Sequence, residues 1–115
     1  MRIKISMKSS KANEMISELL PVVKGEFDQV EVIAKLKEIR DIAKVEQDPA
    51  VVKIIRLCYD YMEANENFNI GFMEEEGIED MNDLEYLLEL LLQSDREANR
   101  REIREIRDLL WAELY

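Results

Sequence analysis

Asn65, Asn67, Asn69 and Glu76 stand at positions one, three, five and twelve of the stretch "NENFNIGFMEEE", with apolar Phe72 at position eight. That is the ligand register of a calcium loop, in which oxygen donors converge on a hard cation. The stretch departs from the register where its mechanism is most demanding. Position six should be glycine so that the chain turns sharply, and here it is β-branched Ile70, with Gly71 one residue late. Three neutral asparagines leave Glu76 as the one charged side-chain ligand. A degenerate calcium loop is therefore a second alternative, and no metal site is expected. The preferred reading has Asn65 and Asn67 ending the preceding helix, both being tolerant of left-handed backbone, and Phe68, Ile70 and Phe72 alternating as a short strand.

Other chemistry is restricted by composition. The chain has no histidine and no threonine, which excludes histidine general-base catalysis, histidine-activated nucleophiles and the usual zinc sites. Cys58, the single cysteine, lies among Ile54, Ile55, Leu57 and Tyr61 on an apolar helix and reads as an inert core thiol. Glu85 and Glu89 are a pair of carboxylates one helical turn apart, without a recognisable supporting shell. No catalytic residue and no cofactor are expected, and the chain reads as a non-enzyme.

Charge is the stronger signal. Net charge is −10, distributed unevenly: residues 1–57 hold 11 Lys/Arg and 9 Asp/Glu, residues 58–115 hold 5 and 17. From Asp60 to Asp95 there are twelve acidic side chains and no basic one, and all eight lysines lie at or before Lys53. The densest part is "EEEGIED", with Glu74, Glu75, Glu76, Glu79 and Asp80. A solvated face that keeps the protein soluble is the plain reading; a contact surface for a basic protein partner is the functional one. A stronger form makes the acidic rows a nucleic-acid mimic that inhibits a DNA- or RNA-binding protein. Direct nucleic-acid binding is not expected in so negative a field. In the last helix, Arg96, Arg100, Arg104, Arg107 and Trp111 project within about 80° of one another. Arginine and tryptophan are enriched at binding hot spots, so Arg100, Arg104 and Trp111 are partner-binding candidates. The competing reading pairs Arg101 with Glu97 and Glu105, and Arg104 with Asp108, and turns the stripe toward the acidic segment.

These residues must be positioned by helices. Ser9 or Ser10 caps a first helix with Ala12, Met15, Ile16, Leu19 and Val23 on one face, and Pro21 and Gly25 end it. Asp28 and Glu31 stand in capping-box spacing before an amphipathic helix with Val32, Leu36, Ile39 and Ala43 on its stripe. Asp48 and Pro49 open a third helix whose polar stripe, Lys53, Arg56, Asp60 and Glu63, is narrow, so that helix should be central. Asn82 opens a fourth, where only Glu85 and Glu89 interrupt an apolar run from Leu84 to Leu92. A surface so apolar must be buried in the core or covered by a partner. Ser94 and Glu97 have capping-box spacing, which leaves open whether residues 82–115 form one helix or two. In the last helix Ala98, Ile103, Ile106, Leu109, Leu110 and Leu114 cover the apolar arc.

The expected fold is mainly α, a single acidic domain over 1–115 built as a bundle of four to five helices, with room for a minor two-stranded β element pairing residues 2–7 with 68–73. "MRIKISMKSSK" lacks a continuous apolar run, and no stretch reaches the roughly 18 residues of a membrane span, so neither a secretory leader nor a membrane anchor is expected. The function these limits favour is a small cytoplasmic interaction module, an adaptor, inhibitor or assembly chaperone. It would bind a protein partner, or a second copy of itself, through an apolar helix surface around Leu84–Leu92 and the acidic loop beside it.

Overall fold

The computed structural model describes residues 10–71 and 81–115. Five α-helices run through them: α1 (Lys11–Leu19), α2 (Gln29–Val45), α3 (Pro49–Asn65), α4 (Asp83–Leu92) and α5 (Glu97–Leu114), with a 3-10 turn at Leu20–Val22. Polar side chains set most of the boundaries. The Ser10 hydroxyl accepts the Asn13 amide at 2.9 Å, Asp28 accepts Val30 and Glu31, Asp48 accepts Val51, and Asn82 accepts Glu85 at 2.8 Å. Each such cap satisfies amides that have no partner within the helix, a contribution of about 1 kcal/mol apiece. Asn82 also donates to the carbonyls of Val23 at 2.6 Å and Gly25 at 3.3 Å, so one side chain starts α4 and holds the turn that follows α1. Gly25 takes φ +70°, a conformation that a side chain would strain.

The α2–α3 connection is tight. Gln47 is left-handed (φ 60°), its amide donates to Lys44, and the Asp48 amide donates to Ala43, the paired bonds of a Schellman close. Glu46, beside it, turns its carboxylate onto the start of α1, where it accepts the amides of Lys11 at 2.8 Å and Ala12 at 3.4 Å. An acidic group at a helix N-terminus meets both the unpaired amides and the favourable end of the helix dipole.

One apolar cluster unites all five helices. The central role expected of α3 holds: Val51, Ile54, Ile55, Leu57, Cys58, Tyr59, Tyr61 and Met62 are buried, and the helix packs against both α2 and α5. From α2 come Val32, Leu36, Ile39 and Ala43, as the stripe predicts. The leucine-rich α4 resolves the choice between core and partner in favour of the core, because Leu84, Leu87, Leu88, Leu90 and Leu91 are all buried against the rest of the chain. In α5, Ile103, Ile106 and Leu110 are buried, whereas Ala98 and Leu109 turn outward, so the apolar arc is narrower than its projection.

Residues 82–115 form two helices, with the break at Gln93–Arg96. Ser94 does not cap α5. Instead the carbonyls at the break are taken from within α5: Asn99 donates to Gln93 O, and Arg100 donates to Ser94 O and Asp95 O. The expected β element is not supported. The described part of its second segment, residues 68–71, is neither strand nor helix, and residues 2–7 and 72–73 lie outside the described residues. The amides a ladder would use are already spent, since Asp83 Oδ2 accepts both Ile70 and Gly71 at 2.7 Å and Asn67 Oδ1 accepts Asn69. The period-two burial is real all the same: Phe68 is buried edge-on against Tyr61, Asn69 is exposed and Ile70 is half-buried.

Candidate functional site

The partner-binding candidates divide into two groups. Glu74, Glu75, Glu76, Glu79 and Asp80 lie outside the described residues, as does Glu76 in its role as the last calcium ligand. Of the loop's described asparagines, Asn65 donates through its side chain to Tyr61 O, and Asn67 donates to Asn65 O. Both help to end α3, while the left-handed residue at that end is Glu66 (φ 63°) rather than either asparagine. Among the described residues no cluster of three carboxylate, cysteine or histidine ligands could hold a metal ion.

Arg100, Arg104 and Trp111 are all on α5, and the stripe predicted for them is preserved. Arg100, Arg104 and Arg107 open onto a groove of about 560 Å³ against the α2–α3 connection; one and two turns further on, Trp111 and Tyr115 open onto a larger one of about 660 Å³. Gln47 and Asp48 line both, so the two grooves meet. The ion pairing differs from the sequence expectation. The pairs formed are Arg100 with Glu97 (2.7 Å) and Arg107 with Asp108 (3.1 Å), and the stripe faces α3 and the α2–α3 connection. With Arg100 bound to two carbonyls and a carboxylate, its guanidinium serves the elbow between α4 and α5 before it serves any ligand.

The larger groove is built from three helices. From α2 come Arg40 and Lys44, a turn apart; from α3 come Pro49, Val52, Lys53, Arg56, Leu57 and Asp60; from α5 and the residue that ends it come Trp111 and Tyr115. Trp111 is 51% exposed and Tyr115 73%, with ring centroids 4.5 Å apart and planes inclined at 43°. Lys53 Nζ stands 5.3 Å from the centre of the Trp111 ring, within the range of a cation–π contact. Arg56 meets Asp60 at 3.5 Å, and Asp48 is occupied by the Val51 amide that it caps. Lys44 and Lys53 have no ion pair among the described residues. The Arg40 side chain is three-quarters buried, meets Asp41 at 3.8 Å through one terminal nitrogen, and leaves its Nε without a hydrogen-bond partner.

Sequence reasoning singled out Trp111 but missed Arg40, Lys44, Lys53 and Arg56, treating the last two as the solvated stripe of α3. The signal lay in the charge map: every lysine stands at or before Lys53, and the short α2–α3 connection folds the cations of those two helices onto one groove.

Elsewhere, burial pushes the Cys58 thiol well above the usual range, which keeps it protonated and unreactive. Of the two carboxylates a turn apart on α4, Glu85 is buried and takes Lys24 Nζ at 2.8 Å, and Glu89 is half-buried. The groove thus offers exposed aromatic rings, an apolar floor and a rim richer in cations than in anions, equipment for non-covalent retention of a ligand. No family model matches the chain, and neither a curated protein nor a solved structure is significantly similar to it. Among the described residues no helix is long and apolar enough to cross a membrane.

Proposed function

We propose that this chain is a small cytoplasmic protein-interaction module, without catalytic activity, that holds a protein partner in the groove between α3 and the C-terminal half of α5. The observation that carries the reading is the exposed pair Trp111 and Tyr115, in tilted ring contact beside a groove of about 660 Å³. Large aromatic rings left half or more in water are unfavourable for an isolated domain and are the usual anchors of protein contacts. Leu84, Leu87, Leu88, Leu90 and Leu91 of α4 are buried, which favours the Trp111–Tyr115 groove over α4 as the apolar contact. The acidic run from Glu74 to Asp80 retains, on its sequence, the role of a second contact for basic residues of the partner.

Affinity capture tests the reading. Tagged wild-type protein and the Trp111→Ala/Tyr115→Ala double variant are passed through lysate of the source cell at low and high salt. Both substituted side chains are exposed, so the variant keeps its helical circular dichroism. The wild type should retain a specific protein in near-equal amount and the variant should lose it. Identical retention by the two, or no specific protein with either, overturns the proposal.

A further inference from the structure

The groove beside Trp111 also indicates what kind of segment it takes, an inference that rests on reading the chain as an interaction module. We infer that its occupant is an acidic amphipathic helix of the partner, with apolar residues on one face and carboxylates flanking them. Three observations point there. Groove charge is the reverse of the whole molecule's: Arg40, Lys44, Lys53 and Arg56 face Asp48 and Asp60, in a chain whose net charge is −10. Both of those carboxylates are engaged inside the fold, Asp48 by the start of α3 and Asp60 by Arg56, so neither neutralises Lys44 or Lys53, and among the described residues Lys53 meets only the Trp111 ring. Between the cations the floor is apolar, formed by Val52, Leu57 and the Trp111 ring, and requires apolar atoms above it.

A carboxylate-flanked apolar stripe satisfies rim and floor together, as when an amphipathic helix lies in a groove. A nucleic-acid strand fits less well. Its aromatic bases would stack on Trp111 and Tyr115, but each of its phosphates would add to the negative field of a chain whose net charge is −10. The peptide's charges end with the groove.

Trp111 is the only tryptophan, so its emission reports on the groove directly. The probe is a synthetic peptide of about sixteen residues, with leucines at helical i, i+3, i+4, i+7 spacing and glutamates elsewhere. Its controls are the same leucine pattern with lysines and an oligothymidylate of about twelve nucleotides, long enough to overrun the groove. The glutamate peptide should shift Trp111 emission saturably, and raising salt from about 50 to about 500 mM should weaken it by about tenfold or more. Lys44→Ala/Lys53→Ala, at two exposed positions, should weaken it by about tenfold with helicity unchanged. Equal binding of the lysine peptide, tighter binding of the oligonucleotide, or no saturable response to the glutamate peptide overturns the inference. Its failure is separable from that of the module itself: a partner captured through Trp111 and Tyr115 but cross-linked to position 111 through a basic or uncharged segment overturns the acidic occupant and leaves the module standing.

Discussion

Glu85 lies in the core with one carboxylate oxygen on Lys24 and the other without a partner. Lys24 is largely exposed, and the hydrogen bond and charge of Glu85 raise its pKa above the ordinary value of 10.5, with a smaller contribution from the charge of Glu89. A lysine whose pKa is raised by folding binds its proton more tightly in the native state. The stability it contributes is complete below 10.5 and is lost as pH climbs through the native value. Unfolding of the wild type in urea should therefore show a loss of stability on the alkaline side of pH 10.5 that is smaller in Lys24→Met, and Lys24→Met should be the less stable of the two at neutral pH. Parallel alkaline profiles would show that the pair contributes nothing through its charge. In the sequence Glu85 is only one of two polar interruptions in a leucine run; its burial depends on Lys24, 61 residues away, which no local pattern connects to it.

At the scale of elements, the short-range rules worked wherever the deciding atoms are close in sequence. Ser10, Asp28, Asp48 and Asn82 each sit within three residues of the amides they accept, and all four starts were readable. The elbow between α4 and α5 was not, because Ser94 has the spacing of a cap while Asn99 reaches back six residues, and Arg100 five and six, to hold the carbonyls that define it. The β element failed for a similar reason: the alternation of Phe68 and Ile70 is genuine, but a side chain from the next helix, Asp83, took the amides. The α2–α3 connection carries a testable strain. Gln47 occupies the left-handed region, which costs a residue with a side chain about 1 kcal/mol relative to glycine. Gln47→Gly should raise stability by at most about 0.5 kcal/mol, read from the urea midpoint, since the relief of that cost is partly offset by the larger freedom glycine gains in the unfolded chain. A lower midpoint would mean that the exposed Gln47 side chain contributes contacts worth more than the strain.

For the whole molecule, the question is where the apolar surface goes. Two helices of nearly continuous apolar sequence, α3 and α4, made self-association an open expectation for a chain of 115 residues. The fold answers by covering each with other helices of the same chain, α3 with α2 and α5, α4 with α5 and α1, so that Leu84, Leu87, Leu88 and Leu91 are at most 1% exposed. Among the described residues the large apolar side chains left outside, Val22, Val30, Val45 and Leu109 with Trp111 and Tyr115, do not include any from α4. A dimer built on the leucines of α4 would have to open this core. Light scattering on the purified protein should accordingly give the monomer mass of 13.6 kDa at micromolar concentration. Leu87→Ala discriminates between the two arrangements. On a dimer face it would dissociate the assembly and abolish the concentration dependence that a dimer's melting temperature shows; in a core it leaves the mass unchanged and removes about 2–5 kcal/mol of stability, because the cavity cannot be filled by neighbours already packed. The second pattern is the one expected, and a mass of twice 13.6 kDa that Leu87→Ala halves would place α4 at an interface instead.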